Sequence, residues 1–231
     1  MTENGVLISL KNVSVFYDGK AVISGVSADI FRGEIFCILG ESGGGKTTLL
    51  NILSGLVSPD EGEITYAGDA APRCSYVFQE ASLLPNLTAL KNLTFAGGEK
   101  TYCEKLLARA GLADKENKRP PALSGGEKQR VALMRAFAAP FDLLLADEPF
   151  SALDIALREK IIALFASLLE EKSATEGVKT AVFVTHSVKE ALALADRVAV
   201  LRGGKFVKTI RVKDEDYEKT RAELIAALTE E

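Results

Sequence analysis

The chain has 231 residues, 47% hydrophobic and 26% charged, with a formal net charge of −4, the balance of a soluble globular protein built as one large domain or as one domain with an insertion. The acidic excess argues against general nucleic-acid binding, which needs many lysines and arginines against phosphates, but leaves room for a local anion site. Apolar runs such as residues 161–169 fall short of the ~20 residues a membrane span requires, and the first ten residues lack the basic-then-apolar pattern of a secretory leader.

In chain order, residues 13–17 and 21–23 flank the turn-forming stretch "DGK" and predict a β-hairpin. Residues 34–39, "EIFCIL", are a short apolar run suited to a strand buried on both faces. A glycine-rich stretch follows at once, and residues 47–56 then carry Leu and Ile at helical spacing, ending near Gly55 and Pro59. Residues 75–78 predict a second strand, and residues 79–138 a mostly helical insertion interrupted by "KENKRPPALSGG". Residues 141–148 predict another buried strand, 155–172 a long amphipathic helix and 180–186 a strand. Residues 197–210 predict a hairpin turning at Gly203-Gly204, and residues 214–231 a surface helix. Strands alternating with helices indicate an α/β domain with a mainly parallel sheet. Cys37, Cys74 and Cys103 are far apart and odd in number, which predicts reduced thiols. With one histidine and no Cys pair, a structural zinc site has no support.

The nine residues "GESGGGKTT" contain the spacing Gly40-x4-Gly45-Lys46-Thr47 between a predicted strand and a predicted helix. At a glycine frequency of about 7%, chance gives such a match in roughly one chain of this length in a hundred. A polyphosphate can be wrapped by backbone N–H groups only where no Cβ intervenes, which is the use of Gly43, Gly44 and Gly45. The helix starting near Lys46 adds its positive end. Lys46 supplies a cation for the β- and γ-phosphates, and the Thr47 hydroxyl a ligand for Mg²⁺. The only Asn-Lys pair, Asn117-Lys118, continues as Arg-Pro without the aspartate of a guanine-reading N-K-x-D stretch, which favours ATP.

Two further stretches complete the site. In "LLLADEP" a leucine run buries the strand and delivers Asp147 and Glu148 at its carboxyl end, where ligands bind in open α/β sheets. Asp147 can hold Mg²⁺ and Glu148 can polarise an attacking water. In "LSGGEKQRVALMRAFA", Ser124, Gly125 and Gly126 precede a helix expected to begin near Glu127, a second candidate phosphate site with free N–H groups. Two such sites suit a head-to-tail dimer in which each copy closes the other's pocket.

These stretches together resemble the ATP-binding subunit of an ABC transporter, most closely those of nitrate-, sulfonate- or taurine-type importers, and the resemblance covers essentially the whole chain. "LSGGE" is similar to the family's LSGGQ signature, with Glu127 replacing glutamine. The resemblance implies that residues 40–48 (Gly40, Glu41, Ser42, Gly43, Gly44, Gly45, Lys46, Thr47, Thr48) cradle the phosphates and Ser124, Gly125 and Gly126 reach the partner's nucleotide. It makes Asp154 in "SALD" part of the loop that crosses the dimer, and His186 in "VTHS" the switch histidine. Gln79 in "VFQE" becomes the residue that reaches Mg²⁺ and the attacking water, with Glu148 catalytic and Tyr17 stacked on adenine. The implied fold is a P-loop NTPase core, residues 1–78 and 139–231, with an N-terminal antiparallel β subdomain and an inserted helical subdomain at about 79–138. The implied cofactors are ATP and Mg²⁺. The implied partners are a second ATPase subunit, separate transmembrane permease subunits and an extracytoplasmic solute-binding protein, with no nucleic acid. The expected location is the cytoplasmic face of the cell membrane. Compact chains of this kind also drive export, lipoprotein release or cell-division complexes, and these remain alternatives to import. With only residues 211–231 after the last predicted hairpin, the regulatory β-domain of some sugar importers is not expected.

Overall fold

Strands β1 (Val6–Tyr17) and β2 (Lys20–Phe31) form an antiparallel hairpin whose turn residues Asp18 and Gly19 have φ of 50° and 74°. Two left-handed residues in a two-residue turn match the natural strand twist. The strands run well beyond residues 13–17 and 21–23 because pairing continues as far as Val6 with Phe31. The computed structural model describes residues 5–68, 70–177, 179–212 and 216–229.

Next come β3 (Ile35–Leu39) and α1 (Lys46–Leu53). This helix ends three residues earlier than its apolar spacing suggests. Gly55, at φ 77°, donates to the Ile52 carbonyl and Leu56 to that of Asn51, the paired bonds of a glycine-terminated helix end. Then follow β4 (Glu61–Tyr66), a strand too acidic and exposed to show apolar alternation, and β5 (Cys74–Val77). The predicted insertion contains α2 (Ala89–Phe95), α3 (Lys100–Arg109), two single 3₁₀ turns and α4 (Gly125–Ala138). The remainder is β6 (Leu143–Asp147), α5 (Ile155–Glu176), β7 (Thr180–Thr185), α6 (Val188–Leu194), β8 (Arg197–Arg202), β9 (Lys205–Arg211) and α7 (Tyr217–Thr229). The expected C-terminal helix is therefore present with Thr220, Leu224 and Ala227 buried; residues 214, 215, 230 and 231 lie outside the described part.

A small antiparallel sheet runs β2-β1-β4, and a larger one β5-β6-β7-β3-β8-β9, parallel except at β9. Period-two alternation sends neighbouring residues of the large sheet into two cores. Phe36, Ile38, Leu143, Leu145, Val182 and Val184 pack with α1 and the small sheet. Cys37, Leu39, Leu144, Ala146, Ala181 and Phe183 pack on the other face with Phe137 of α4 and Phe165 of α5. Burial on both faces is what the continuous apolar runs require. All three cysteines are free thiols, Cys37 and Cys103 buried and Cys74 exposed. Among the described residues no helix is long and apolar enough to cross a membrane.

Candidate active site

The order β6-β7-β3 places three carboxyl ends side by side. Glu148 N–H donates to the Val184 carbonyl at 3.1 Å and Gly40 N–H to that of Thr185 at 3.2 Å. The residues following β6, β7 and β3 therefore meet at one edge, the ligand-binding edge of such sheets.

The loop after β3 owes its shape to glycine at particular positions. A Cβ on Gly40 would overlap the Leu201 carbonyl oxygen, and one on Gly45 would lie 2.7 Å from Ile23 Cδ1 and 2.8 Å from the Val22 carbonyl oxygen. Gly43 and Gly45 have φ of 78° and 93°, a region L side chains rarely occupy. Helices α2 to α6 each begin with a side-chain cap, from Thr88, Glu99, Ser124, Asp154 and Ser187, whereas α1 begins at Gly45 with none. The N–H groups of the first turn of α1 are thus not taken by a side-chain cap, the condition under which a helix N-terminus can receive an anion. Lys46 is 5% exposed, and its Nζ donates to the Gly40 and Glu41 carbonyls at 2.9 and 2.8 Å, bridging the loop.

Odd-numbered residues of β6 face α1, so Asp147 meets Thr47: Oγ1 donates to Oδ2 at 2.6 Å. Burial raises the Asp147 pKa above the ordinary aspartate value; the Thr47 bond opposes this, and the neighbouring Glu148 charge adds to it. Glu148 has φ 43°, a left-handed conformation that costs a non-glycine residue energy. Its Oε1 lies 3.7 Å from Lys46 Nζ and its Oε2 3.1 Å from Nδ1 of His186, an exposed side chain. A cleft of about 280 Å³ is lined by Tyr17, Val22, Ser42, Gly43, Gly45, Lys46, Thr47, Thr48, Gln79 and Glu148. It gathers residues from the first hairpin, the glycine loop, the end of β5 and the end of β6. Tyr17 is 47% exposed at its rim. Val22 is not legible in the sequence as a site residue, since an apolar strand residue carries no chemical signal of its own.

The second candidate phosphate site differs from expectation. Helix α4 begins at Gly125 rather than near Glu127, and Ser124 caps it. The Ser124 hydroxyl accepts from Glu127 N–H at 3.3 Å, while Glu127 Oε2 accepts from Ser124 N–H at 2.7 Å. Two of the N–H groups expected to be free are therefore taken by a capping box, leaving those of Gly125 and Gly126 outside it. A Cβ on Gly126 would lie 3.2 Å from the Ala152 carbonyl oxygen, so the signature stretch packs against "SALD". Asp154 caps α5, its Oδ1 accepting from Leu157 N–H at 3.0 Å. Neither Ser124 nor Asp154 lines the cleft of its own chain.

An α/β sheet with an uncapped glycine-loop helix after one strand and an Asp-Glu pair after another defines a P-loop nucleoside triphosphatase. The model of the ABC transporter family matches residues 23–151, and the chain belongs to this family; it is an ATP-binding, ABC-type ATPase. It is 40% identical to an aliphatic sulfonates import ATP-binding protein of Frankia alni, over 97% of this chain and 85% of that one. It is 41% identical to a similarly named protein of Rhodococcus jostii, over 89% and 75% respectively. In three dimensions it is similar to a dimeric ATP-binding cassette solved in a post-hydrolysis state with ADP and Pi, with a TM-score of 0.78 and 32% identity, covering 90% of this chain and 100% of that one.

Proposed function

We propose that the chain is the ATP-hydrolysing subunit of a solute importer. Two copies close head to tail on ATP, and hydrolysis drives a separate transmembrane permease on whose cytoplasmic face the subunit sits. An extracytoplasmic solute-binding protein delivers the cargo. The similarity to sulfonate-import proteins over most of the chain favours a small organic anion as that cargo. The observation that carries the nucleotide assignment is that Tyr17, the glycine loop, Gln79 and Glu148 line one cleft. Residues 1–78 and 139–231 form the ATP-binding core on this reading, and residues 79–138 the helical insertion.

Adenine stacks on Tyr17, and the β- and γ-phosphates lie against residues 42–48 with Lys46 as counter-charge. Thr47 hydroxyl, Asp147 carboxylate and Gln79 amide oxygen are the hard oxygen donors that suit Mg²⁺, which characteristically takes few protein ligands and completes its shell with phosphate and water. When bound, the metal supplies neutralisation of phosphate charge. Glu148 accepts the proton of a water that attacks the γ-phosphorus as the bond to the ADP oxygen breaks. His186 and Lys46, at 3.1 and 3.7 Å from its two oxygens, hold that carboxylate in one orientation. Ser124, Gly125 and Gly126 close on the partner's γ-phosphate, and Asp154 lies in the loop that crosses between copies.

Affinity purification of the full chain from its host membranes tests the importer assignment. The expected co-purifying partners are a multi-span permease and a solute-binding protein. Recovery instead of a membrane protein with a large extracytoplasmic domain, and no solute-binding protein, would overturn it.

A further inference from the structure

Strand β5 lies at the edge of the large sheet, among the described residues paired only with β6, and leads directly into Phe78 and Gln79. A strand bonded on one side depends on its side chains for anchorage on the other. Two successive residues supply it from opposite faces. Ser75 donates its hydroxyl to the Ala136 carbonyl in the last turn of α4 at 2.9 Å. Tyr76 donates its phenol to Asn51 Oδ1 on α1 at 3.1 Å. Asn51 follows Thr47 by one helical turn on the same face, and Thr47 is bonded to Asp147. The Tyr76 ring also stacks on Phe78, centroids 4.2 Å apart and planes 13° from parallel. Phe78 is 39% exposed and immediately precedes Gln79, so a ring that would otherwise swing with its loop is held to an anchored one.

We infer that Tyr76 is a positioning residue for the metal site: tied to Asn51 through its hydroxyl and to Phe78 through its ring, it fixes Gln79 against Thr47 and Asp147. The inference rests on the proposed role of those three residues as Mg²⁺ ligands. Gln79 is exposed and lines the cleft beside Lys46, Thr47 and Glu148. A glutamine on a free loop must surrender both backbone and rotamer entropy to reach a cation, and a tethered one surrenders less. Phenylalanine at position 76 keeps the ring and the stack but deletes the bond to α1, so the hydroxyl can be tested separately from packing.

The test is calorimetric titration of the full chain with a non-hydrolysable ATP analogue across a series of Mg²⁺ concentrations, with an EDTA arm. Tyr76→Phe is expected to leave affinity in EDTA at the wild-type value. It should raise the Mg²⁺ concentration for half-maximal gain by roughly two- to tenfold, the range one neutral hydrogen bond supplies. Asn51→Ala should do the same, and the double variant should do no more than either alone. Ser75→Ala, which loosens the same strand from α4 but keeps the Tyr76 bond to α1, should move the Mg²⁺ midpoint less than Tyr76→Phe does. A midpoint in Tyr76→Phe equal to wild type, additive effects of Tyr76→Phe and Asn51→Ala, or an equal shift in Ser75→Ala would each overturn the tether while leaving the metal site standing. A wild-type chain whose affinity ignores Mg²⁺ would overturn both.

Discussion

Replacing Glu148 by glutamine separates charge from shape at the centre of the cleft. The side chain keeps its size, and the left-handed φ of 43° costs glutamine what it costs glutamate, so backbone strain is unchanged. What disappears is one negative charge 3.7 Å from Lys46 Nζ, whose gross attraction is about 4 kcal/mol at an effective dielectric near 20. Solvation and the bonds from Lys46 to the Gly40 and Glu41 carbonyls offset most of that. The net effect on ATP is a modest tightening of about 1 kcal/mol or less, because the phosphates lose a competitor for Lys46 and a like charge. Hydrolysis behaves differently. Loss of a positioned general base lowers a rate by roughly 10²- to 10⁴-fold. Phosphate release and nucleotide titration measure the two effects independently. With binding kept and turnover stopped, the variant should run on size-exclusion chromatography as a dimer in Mg-ATP and as a monomer in Mg-ADP. Wild-type hydrolysis in Glu148→Gln would remove the residue from the mechanism. An inactive variant that stays monomeric in saturating ATP would instead refute the head-to-tail closure.

Tyr17→Ala should weaken ATP and GTP together by the ~1–3 kcal/mol of one aromatic–base stack, followed by fluorescence titration; loss of only one nucleotide would mean that Tyr17 reads a base edge. Ser124→Arg should spare nucleotide binding to the single chain yet abolish hydrolysis, while loss of the cap on α4 lowers stability by about 1 kcal/mol. Residual turnover in that variant would contradict a role at the partner's nucleotide. Gly40→Ala should destabilise by about 1–3 kcal/mol, since its Cβ meets the Leu201 backbone carbonyl and not a side chain able to move aside. Gly5→Ala, with nothing within 4 Å of the added carbon, should melt like wild type. Equal melting temperatures for the two variants would dismiss the close approach of β8 to the loop.

The amino-acid sequence by itself determined the parts of this site whose chemistry uses neighbouring residues. A phosphate is wrapped by consecutive backbone N–H groups, so residues 40–48 are legible as one stretch, and Asp147 and Glu148 are legible because a buried strand delivers both at its end. Period-two and helical spacing likewise marked the long elements. No local signal marks β4, whose residues lack apolar alternation, or α6, a seven-residue helix that is marginal without packing and the Ser187 cap. The capping box between Ser124 and Glu127 is not legible either, because nothing local shows which way a glutamate side chain will turn. Tertiary structure alone decided that Thr47 faces Asp147 across 100 positions and that His186 meets Glu148 across 38. The edge anchorage of β5 through Tyr76 is of the same kind. The strand order β6-β7-β3 departs from chain order, and no local preference encodes it. It follows from burying both faces of the sheet at once through compact crossovers, and only that burial brings these side chains to a common edge.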